Sequence, residues 1–244
     1  METLQEKKQN NFYLVSFIGL LGWMFAGSIL FIIPLIVQIV YQNPSIQFDV
    51  DYIMSDRFLV QSMILEVISK ILPIVLILFF GRKIFVADWH KTKKHIFLVG
   101  AVLIIGAATL VLSNYLLEYL YQLLGIEGTS SNQLILEQAL ESPLKPVMIA
   151  MIVIIAPFFE EIVFRKLLIH VAIHKFRLKR WIAICISIFF FAFIHVMADP
   201  ASFVFLPQYL VLSTIITMAY ILTKENIHAS IGLHFLNNLL AVLL

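Results

Sequence analysis

Three groups of polar side chains interrupt apolar stretches in the C-terminal half of this 244-residue chain. An ionisable side chain inside a bilayer costs roughly 2.5–3.5 kcal/mol on insertion scales, so such residues indicate a functional site facing the protein interior. Amide hydrolysis needs a base for water and donors for an oxyanion, and the three groups contain both kinds of residue. They are Glu160, Glu161 and Arg165; Phe191 and His195; and His234 and Asn238.

The two adjacent glutamates are predicted to have different roles, because neighbouring residues on a helix point about 100° apart. Glu161 and Arg165 are four residues apart and share a face in the favourable acid-before-base order, which predicts a structural ion pair. Glu160 has no such partner on its own helix, so it is the candidate general base. A buried packing contact is the alternative role for Glu160.

His195 on its own would indicate a core histidine bonded to a backbone carbonyl. The midpoint between Glu160 and His195, however, falls between Arg177 and Leu178, in a basic stretch. If the two flanking helices form an antiparallel hairpin, both side chains lie on the order of 20 Å from that turn and can meet. Phe191 lies one helical turn before His195 and is expected to pack beside the site.

His234 and Asn238 are also four residues apart, and therefore share one helix face. His234 lies about 10 residues beyond a short turn at Lys224–Asn226. This places it at a shallower depth than the pair above, so helix tilt must compensate for several Å if all the groups converge.

The ordered motifs E-E-x-x-x-R, F-x-x-x-H and H-x-x-x-N resemble the CAAX protease and bacteriocin-processing (CPBP, or Abi) family of intramembrane proteases. The resemblance covers about residues 147–244. It implies an all-helical fold with the site in a cavity within the bilayer, and hydrolysis of a peptide bond as in the type II CAAX prenyl endopeptidases.

The resemblance also implies a role for each residue. Glu160 with His195 would activate water, and His234 with Asn238 would form an oxyanion hole. The supporting residues would be Glu161, Arg165 and Phe191.

The sequence leaves metal dependence open. The family is often labelled as metalloproteases, and His195, His234 and Glu160 would make a His₂Glu set like that of a catalytic zinc ion. No H-E-x-x-H motif occurs. We expect glutamate catalysis without a metal, with a divalent metal such as zinc as the alternative.

The function that these residues favour is an intramembrane endopeptidase acting on a small hydrophobic, prenylated or leader-bearing peptide. The alternative is a non-catalytic membrane partner, for bacteriocin self-immunity or for regulation of a membrane sensor. A transporter is disfavoured because no repeat is visible. The expected partners are a peptide or protein substrate in the membrane and the lipid bilayer, with no nucleic acid. No particular oligomeric state is predicted.

Composition indicates an integral membrane protein. The chain is 61% hydrophobic and 13% charged, with a mean hydropathy of +0.96, whereas soluble domains are about 25% charged. With a single cysteine, Cys185, neither an internal disulfide nor a cysteine-based metal site is possible. We expect one membrane domain over residues 1–244.

The fold class expected is all-α, a polytopic membrane protein with about seven transmembrane helices, since apolar runs of about 18 or more residues predict spans. Helices are expected because they satisfy their own backbone groups in lipid. The predicted spans are Phe12–Val40, Phe58–Phe80, Ile96–Leu124, Val147–Leu168, Trp181–Ala198, Phe203–Leu222 and Ile227–Leu244.

The connections between these spans alternate in charge. Residues 43–57 and 125–145 are mostly acidic, whereas 82–94 and 166–180 are basic. The positive-inside rule places the N-terminus and the basic connections in the cytoplasm. A composition rich in Ile, Phe, Leu, Lys and Asn favours a bacterial plasma membrane.

Two further features are predicted from local patterns. Residues 125–146 read as a short amphipathic helix at the membrane interface, started by a capping box of Ser130 and Gln133. A surface connector is the expected role and a lid over the site is the alternative. Glu66 and Lys70, four residues apart in the second span, are predicted to form a structural ion pair.

Overall fold

The structure is a computed structural model. It describes the backbone of residues 4–42, 56–141 and 144–243, with the side chains of all of these except 4, 28, 31, 56–60, 63, 66, 135 and 139. Within these ranges every regular element is helical, as predicted. The acidic connection over residues 43–55 lies outside them.

Eight helices run through the described residues, and we number them in chain order. The sixth and seventh are joined by a 3₁₀ turn over Pro200–Phe205. Their bounds are α1 Leu4–Gln42, α2 Asp56–Lys94, α3 Ile96–Leu123, α4 Ser131–Glu141, α5 Lys145–His174, α6 Arg180–Ile194, α7 Leu206–Leu222 and α8 Ile227–Leu243.

Helix α5 forms the centre of the molecule and packs against α1, α6 and α8. More than half of it is buried, and its buried apolar side chains, together with Phe191 of α6, make the main core with α1 and α2. Smaller clusters join α3 to α7 and α8, and the end of α5 to α6, α7 and α8. Gly106 lets α3 approach α8 closely, because a Cβ there would lie 2.7 Å from Leu233.

Two π-helical segments interrupt α5, over Met151–Ile155 and Ile162–Leu168, and they flank the turn that carries both glutamates. Pro157 accounts for the first segment, because a proline inside a helix lacks an N–H and clashes with the carbonyl four residues earlier. The wider π turn relieves that clash. Such segments are frequent at functional sites.

In the part of the chain that the structure describes, four helical segments are long and apolar enough to cross a membrane: Gln5–Gln42, Ile96–Leu123, Lys145–His174 and Pro200–Leu222. They contain four of the seven predicted spans. The predicted second span lies on α2, and the fifth and seventh lie on the shorter apolar helices α6 and α8, of 15 and 17 residues. Large apolar side chains such as Phe97, 91% exposed, cover the outer surface, as expected for a chain surrounded by lipid.

Three basic connections meet at one end of the molecule, which we call the basic end and which consists of residues 91–95, 175–180 and 223–226. Arg180 pairs with Glu225 at 2.9 Å, and Lys224 Nζ lies 3.4 Å from His95 Nε2. The start of α1 joins them, since Lys175 donates to Asn11 at 3.0 Å. Helix α4 and the 3₁₀ turn lie in the opposite half.

Candidate active site

A cavity of about 290 Å³ lies in the half of the molecule away from the basic end. It is lined by side chains of α2 to α5, the end of α6, the start of α7 and the C-terminal half of α8. Four of the seven sequence-predicted site residues line it: Glu160, His195, His234 and Asn238. The other three, Glu161, Arg165 and Phe191, are fully buried behind them.

The carboxylate of Glu160 faces both histidines. Its Oε2 atom lies 3.9 Å from Nε2 of His195 and 3.9 Å from Nε2 of His234. These distances are too long for direct hydrogen bonds but short enough for strong electrostatic coupling. The hairpin around Arg177 therefore brings Glu160 and His195 together as the sequence predicted, and the expected depth mismatch does not separate His234 from them.

Aromatic contacts and one hydrogen bond hold the ring of His195. Its Nδ1 lies 2.7 Å from the carbonyl oxygen of Phe191. A carbonyl only accepts, so Nδ1 carries the hydrogen and Nε2 is the atom presented to Glu160. The imidazole also contacts the Phe191 ring, with centroids 4.6 Å apart, and stacks on Tyr209 at 4.9 Å and 24°.

His234 is oriented by the second glutamate of the doublet. Its Nδ1 donates to Oε1 of Glu161 at 2.9 Å, which again leaves Nε2 toward Glu160. Nη1 of Arg165 lies 3.1 Å from the same Glu161 oxygen. The predicted pair of Glu161 and Arg165 is therefore present, and Glu161 has the additional role of holding a site histidine.

Arg165 fixes this arrangement to the neighbouring helices. Its guanidinium is completely buried and donates to the Ser213 hydroxyl at 3.0 Å and the Thr217 hydroxyl at 3.3 Å, both on α7. The same group lies 4.2 Å from the ring centre of Phe191, in a cation–π contact. Phe191 thus touches Arg165, His195 and His234.

Asn238 bonds to the backbone of α5. Ala156 N–H donates to the carbonyl of Met151, five residues earlier, so the next π-type bond would need an N–H on Pro157, which has none. The carbonyl of Ile152 is left without that donor and accepts instead from Nδ2 of Asn238 at 2.9 Å. Because Ile152 offers only an acceptor, one N–H of the Asn238 amide is committed there and a second remains.

As placed, Glu160 and the two histidines lie further apart than the ligands of a zinc ion. Tetrahedral zinc with bonds of about 2.0–2.2 Å would bring two ligand atoms to roughly 3.4 Å from each other, whereas Glu160 Oε2 is 3.9 Å from each histidine nitrogen. Across the described residues, no cluster of three His, Cys, Asp or Glu side chains is arranged to hold a metal.

Several residues of the cavity carried no signal in the sequence. Tyr209 belongs to none of the three motifs, and it is assigned to the site only by its contacts in the structure. Helix α4, predicted as a surface connector, also contributes to the site, because Asn132, Gln133, Leu136 and Leu140 line the cavity beside the motif residues. Lys70 lines it as well, while the side chain of its predicted partner Glu66 lies outside the described part of the chain.

The comparison with protein families agrees with this geometry. Residues 142–240 match the family model described as Type II CAAX prenyl endopeptidase Rce1-like, and this segment contains all seven motif residues. No curated protein and no solved structure gives a match. The chain has the apolar helices of a membrane protein, and its residues 142–240 are similar to the type II CAAX prenyl endopeptidases, a family of proteases.

Proposed function

We propose that this protein is an intramembrane endopeptidase that hydrolyses a peptide bond in a small hydrophobic, prenylated or leader-bearing peptide. The observation that carries the proposal is the approach of Glu160 to Nε2 of both histidines in one cavity. Phe191 holds Nδ1 of His195 and Glu161 holds Nδ1 of His234, so both histidines present Nε2 to the Glu160 carboxylate. Such preorganisation is what a hydrolytic site requires.

Glu160 is the proposed base. A water molecule between its carboxylate and His195 would give a proton to Glu160 while its oxygen attacks the carbonyl carbon of the scissile bond. The carbonyl π electrons move to oxygen and form a tetrahedral oxyanion. When the C–N bond breaks, the proton passes from Glu160 to the leaving nitrogen, which restores the site and balances the reaction.

His234 and Asn238 are the proposed oxyanion donors. Because Nδ1 of His234 already donates to Glu161, a proton on Nε2 as well would make its imidazole a cationic donor to the oxyanion, together with the second N–H of Asn238.

We also propose that the basic end faces the cytoplasm of a bacterial cell, with the N-terminus on the same side. The cavity would then lie in the outer half of the bilayer. A cysteine at Leu136 in a Cys185→Ser background tests this orientation. A membrane-impermeant maleimide should label it in intact cells, and labelling only after cell lysis would reverse the orientation.

The activity is tested with internally quenched peptides, farnesylated and unmodified, presented to the purified protein in proteoliposomes. Glu160→Gln should lower the cleavage rate by about 10²–10⁴-fold, the usual contribution of a general base. Glu118→Gln is the matched control, because Glu118 lies exposed on α3. Equal cleavage by both variants would exclude hydrolysis at this site and favour a role in binding alone.

A further inference from the structure

Tyr209 connects the candidate site to helix α4. Its ring stacks on His195 and is 8% exposed, packed with Ala192, Val196 and Phe205. Its hydroxyl forms a 2.6 Å hydrogen bond with the hydroxyl of Ser130. One side chain therefore contacts a site histidine at its face and the start of another helix at its tip.

Ser130 immediately precedes α4. Its hydroxyl accepts from the backbone N–H of Gln133 at 3.3 Å, which is one of the two bonds of the predicted capping box, while the Gln133 side chain donates to Glu137. A second attachment lies next to it, where the N–H of Ser131 donates to the Ser202 hydroxyl at 2.9 Å. Ser202 in turn donates to Asp199 at 3.3 Å. The start of α4 is thus fixed to the connection that follows His195.

The same helix covers part of the cavity. Leu136 and Leu140 line it one and two turns beyond Asn132 and Gln133, on the face toward Glu160. Movement of α4 would therefore change access to the cavity and also pull on the hydroxyl of Tyr209.

We infer that Tyr209 is a positioning residue that couples closure of α4 over a bound peptide to the orientation of the His195 ring. His195 lies between Phe191 and Tyr209. Phe191 is enclosed in the core and is not bonded to α4. Tyr209, on the other face of the His195 ring, is bonded to Ser130 and would therefore move with α4. The inference deepens the proposed function and rests on it, because the ring matters for turnover only if the site is hydrolytic.

Two variants remove the same hydrogen bond from opposite sides. Tyr209→Phe keeps the stacked ring, and Ser130→Ala keeps the tyrosine. Loss of one neutral hydrogen bond changes a rate or equilibrium constant by about 2- to 10-fold. Each variant should therefore lower kcat for the quenched peptides by about that factor, with little change in KM. The double variant should lose less than the product of the two single losses, because the changes share the Tyr209–Ser130 bond, although Ser130→Ala also removes the bond from Gln133 N–H.

Matched controls separate this role from general packing. Tyr220→Phe changes a buried tyrosine on the same helix in a different cluster. Ser113→Ala removes a hydroxyl that bonds within its own helix. Both should keep the wild-type kcat.

A second readout does not depend on activity. In the Cys185→Ser background, a cysteine at Leu136 should react with maleimide about 2- to 10-fold faster when Tyr209→Phe is added, because the same bond no longer holds α4. Tyr220→Phe should leave the labelling rate unchanged.

The outcomes distinguish the two hypotheses. If Glu160→Gln is inactive while Tyr209→Phe matches Tyr220→Phe in both kcat and labelling, the coupling is wrong and the proposed function stands. Additive losses in the Tyr209 and Ser130 double variant would also overturn the coupling. If Glu160→Gln cleaves as fast as the wild type, the proposed function itself fails, and faster labelling of α4 would then show only a structural latch.

Discussion

One oxygen atom of Glu161 serves both His234 and Arg165, at 2.9 Å from the histidine Nδ1 and 3.1 Å from the guanidinium. The structural ion pair and the orientation of a site histidine therefore depend on the same carboxylate. Substitutions at Arg165 and Glu161 can therefore test the stability of the ion pair and the activity of the site separately.

Arg165→Met should destabilise the protein strongly, because removing one partner of a buried ion pair costs about 3–5 kcal/mol. Adding Glu161→Gln should recover much of that loss, since no uncompensated charge remains. Activity should not return with stability, because a neutral amide stabilises a cationic His234 less than a carboxylate does and can present its NH₂ group to Nδ1, and we expect a decrease of about 10²-fold or more. Thermal unfolding in detergent and peptide cleavage measure the two effects.

The control for this cycle is Asp88→Asn, which disturbs a different buried ion pair and should lower stability while leaving activity intact at permissive temperature. A double variant with wild-type kcat would show that Glu161 does not position His234.

Asn238→Ala should lower both the stability of the protein and its rate of cleavage. It leaves the Ile152 carbonyl without a donor, which costs about 1–3 kcal/mol for a buried group, and it removes a proposed oxyanion donor. Pro157→Ala restores an N–H that can reach this carbonyl. The Asn238 and Pro157 double variant should therefore regain stability but stay about 10²–10³-fold slower than the wild type. Recovery of kcat together with Tm would assign Asn238 a purely structural role.

Asp88 predicts a pH dependence of stability at the basic end. Its buried carboxylate accepts from Lys166, from Lys91 at 2.9 Å and from the N–H of Ile227. Burial alone would raise the pKa of Asp88, but the Lys166 and Lys91 ammonium groups outweigh it and hold the pKa below its ordinary value. A lowered pKa contributes stability that is present above the unfolded value, about 3.9, and lost as pH falls through the folded value.

The difference in Tm between wild type and Asp88→Asn should consequently be largest near neutral pH and shrink below about pH 4. Glu127→Gln, at an exposed position, is the control and should show no difference at any pH. A gap that widens in acid would contradict the sign of the pKa shift.

We predict that metal removal leaves activity unchanged, because Glu160 Oε2 lies 3.9 Å from each histidine nitrogen, further than the roughly 3.4 Å between two ligands of one zinc ion. The measurement compares cleavage before and after dialysis against a strong chelator, with metal analysis of the purified protein. The His₂Glu alternative would instead be established if the protein holds one zinc ion per chain, if activity is lost when that zinc is removed, and if added zinc restores the activity.

The sequence predicted the contacts that depend on local spacing or on hairpin symmetry. Glu161 and Arg165 follow from the four-residue helix repeat, and the meeting of Glu160 with His195 follows from the basic turn midway between them. The contact of Tyr209 with His195 was not predictable in this way, because it depends on how α7 packs after an irregular 3₁₀ turn.

The bond from Asn238 to Ile152 also required the structure. Pro157 is visible in the sequence, but a proline kinks, ends or widens a helix according to its packing. Only the π-helical path of α5 shows which carbonyl loses its donor. The place of α4 beside the cavity required the structure as well, because an amphipathic pattern does not distinguish a lipid interface from the mouth of a cavity.

The central claim is that Glu160 directs water onto a peptide bond. Its most direct test is cleavage of the quenched peptide in H₂¹⁸O by wild type and Glu160→Gln, with mass spectrometry of the new C-terminal carboxylate. We predict that wild type yields product carrying one ¹⁸O atom and that Glu160→Gln yields almost none. Labelled product formed at the same rate by both proteins would contradict the claim.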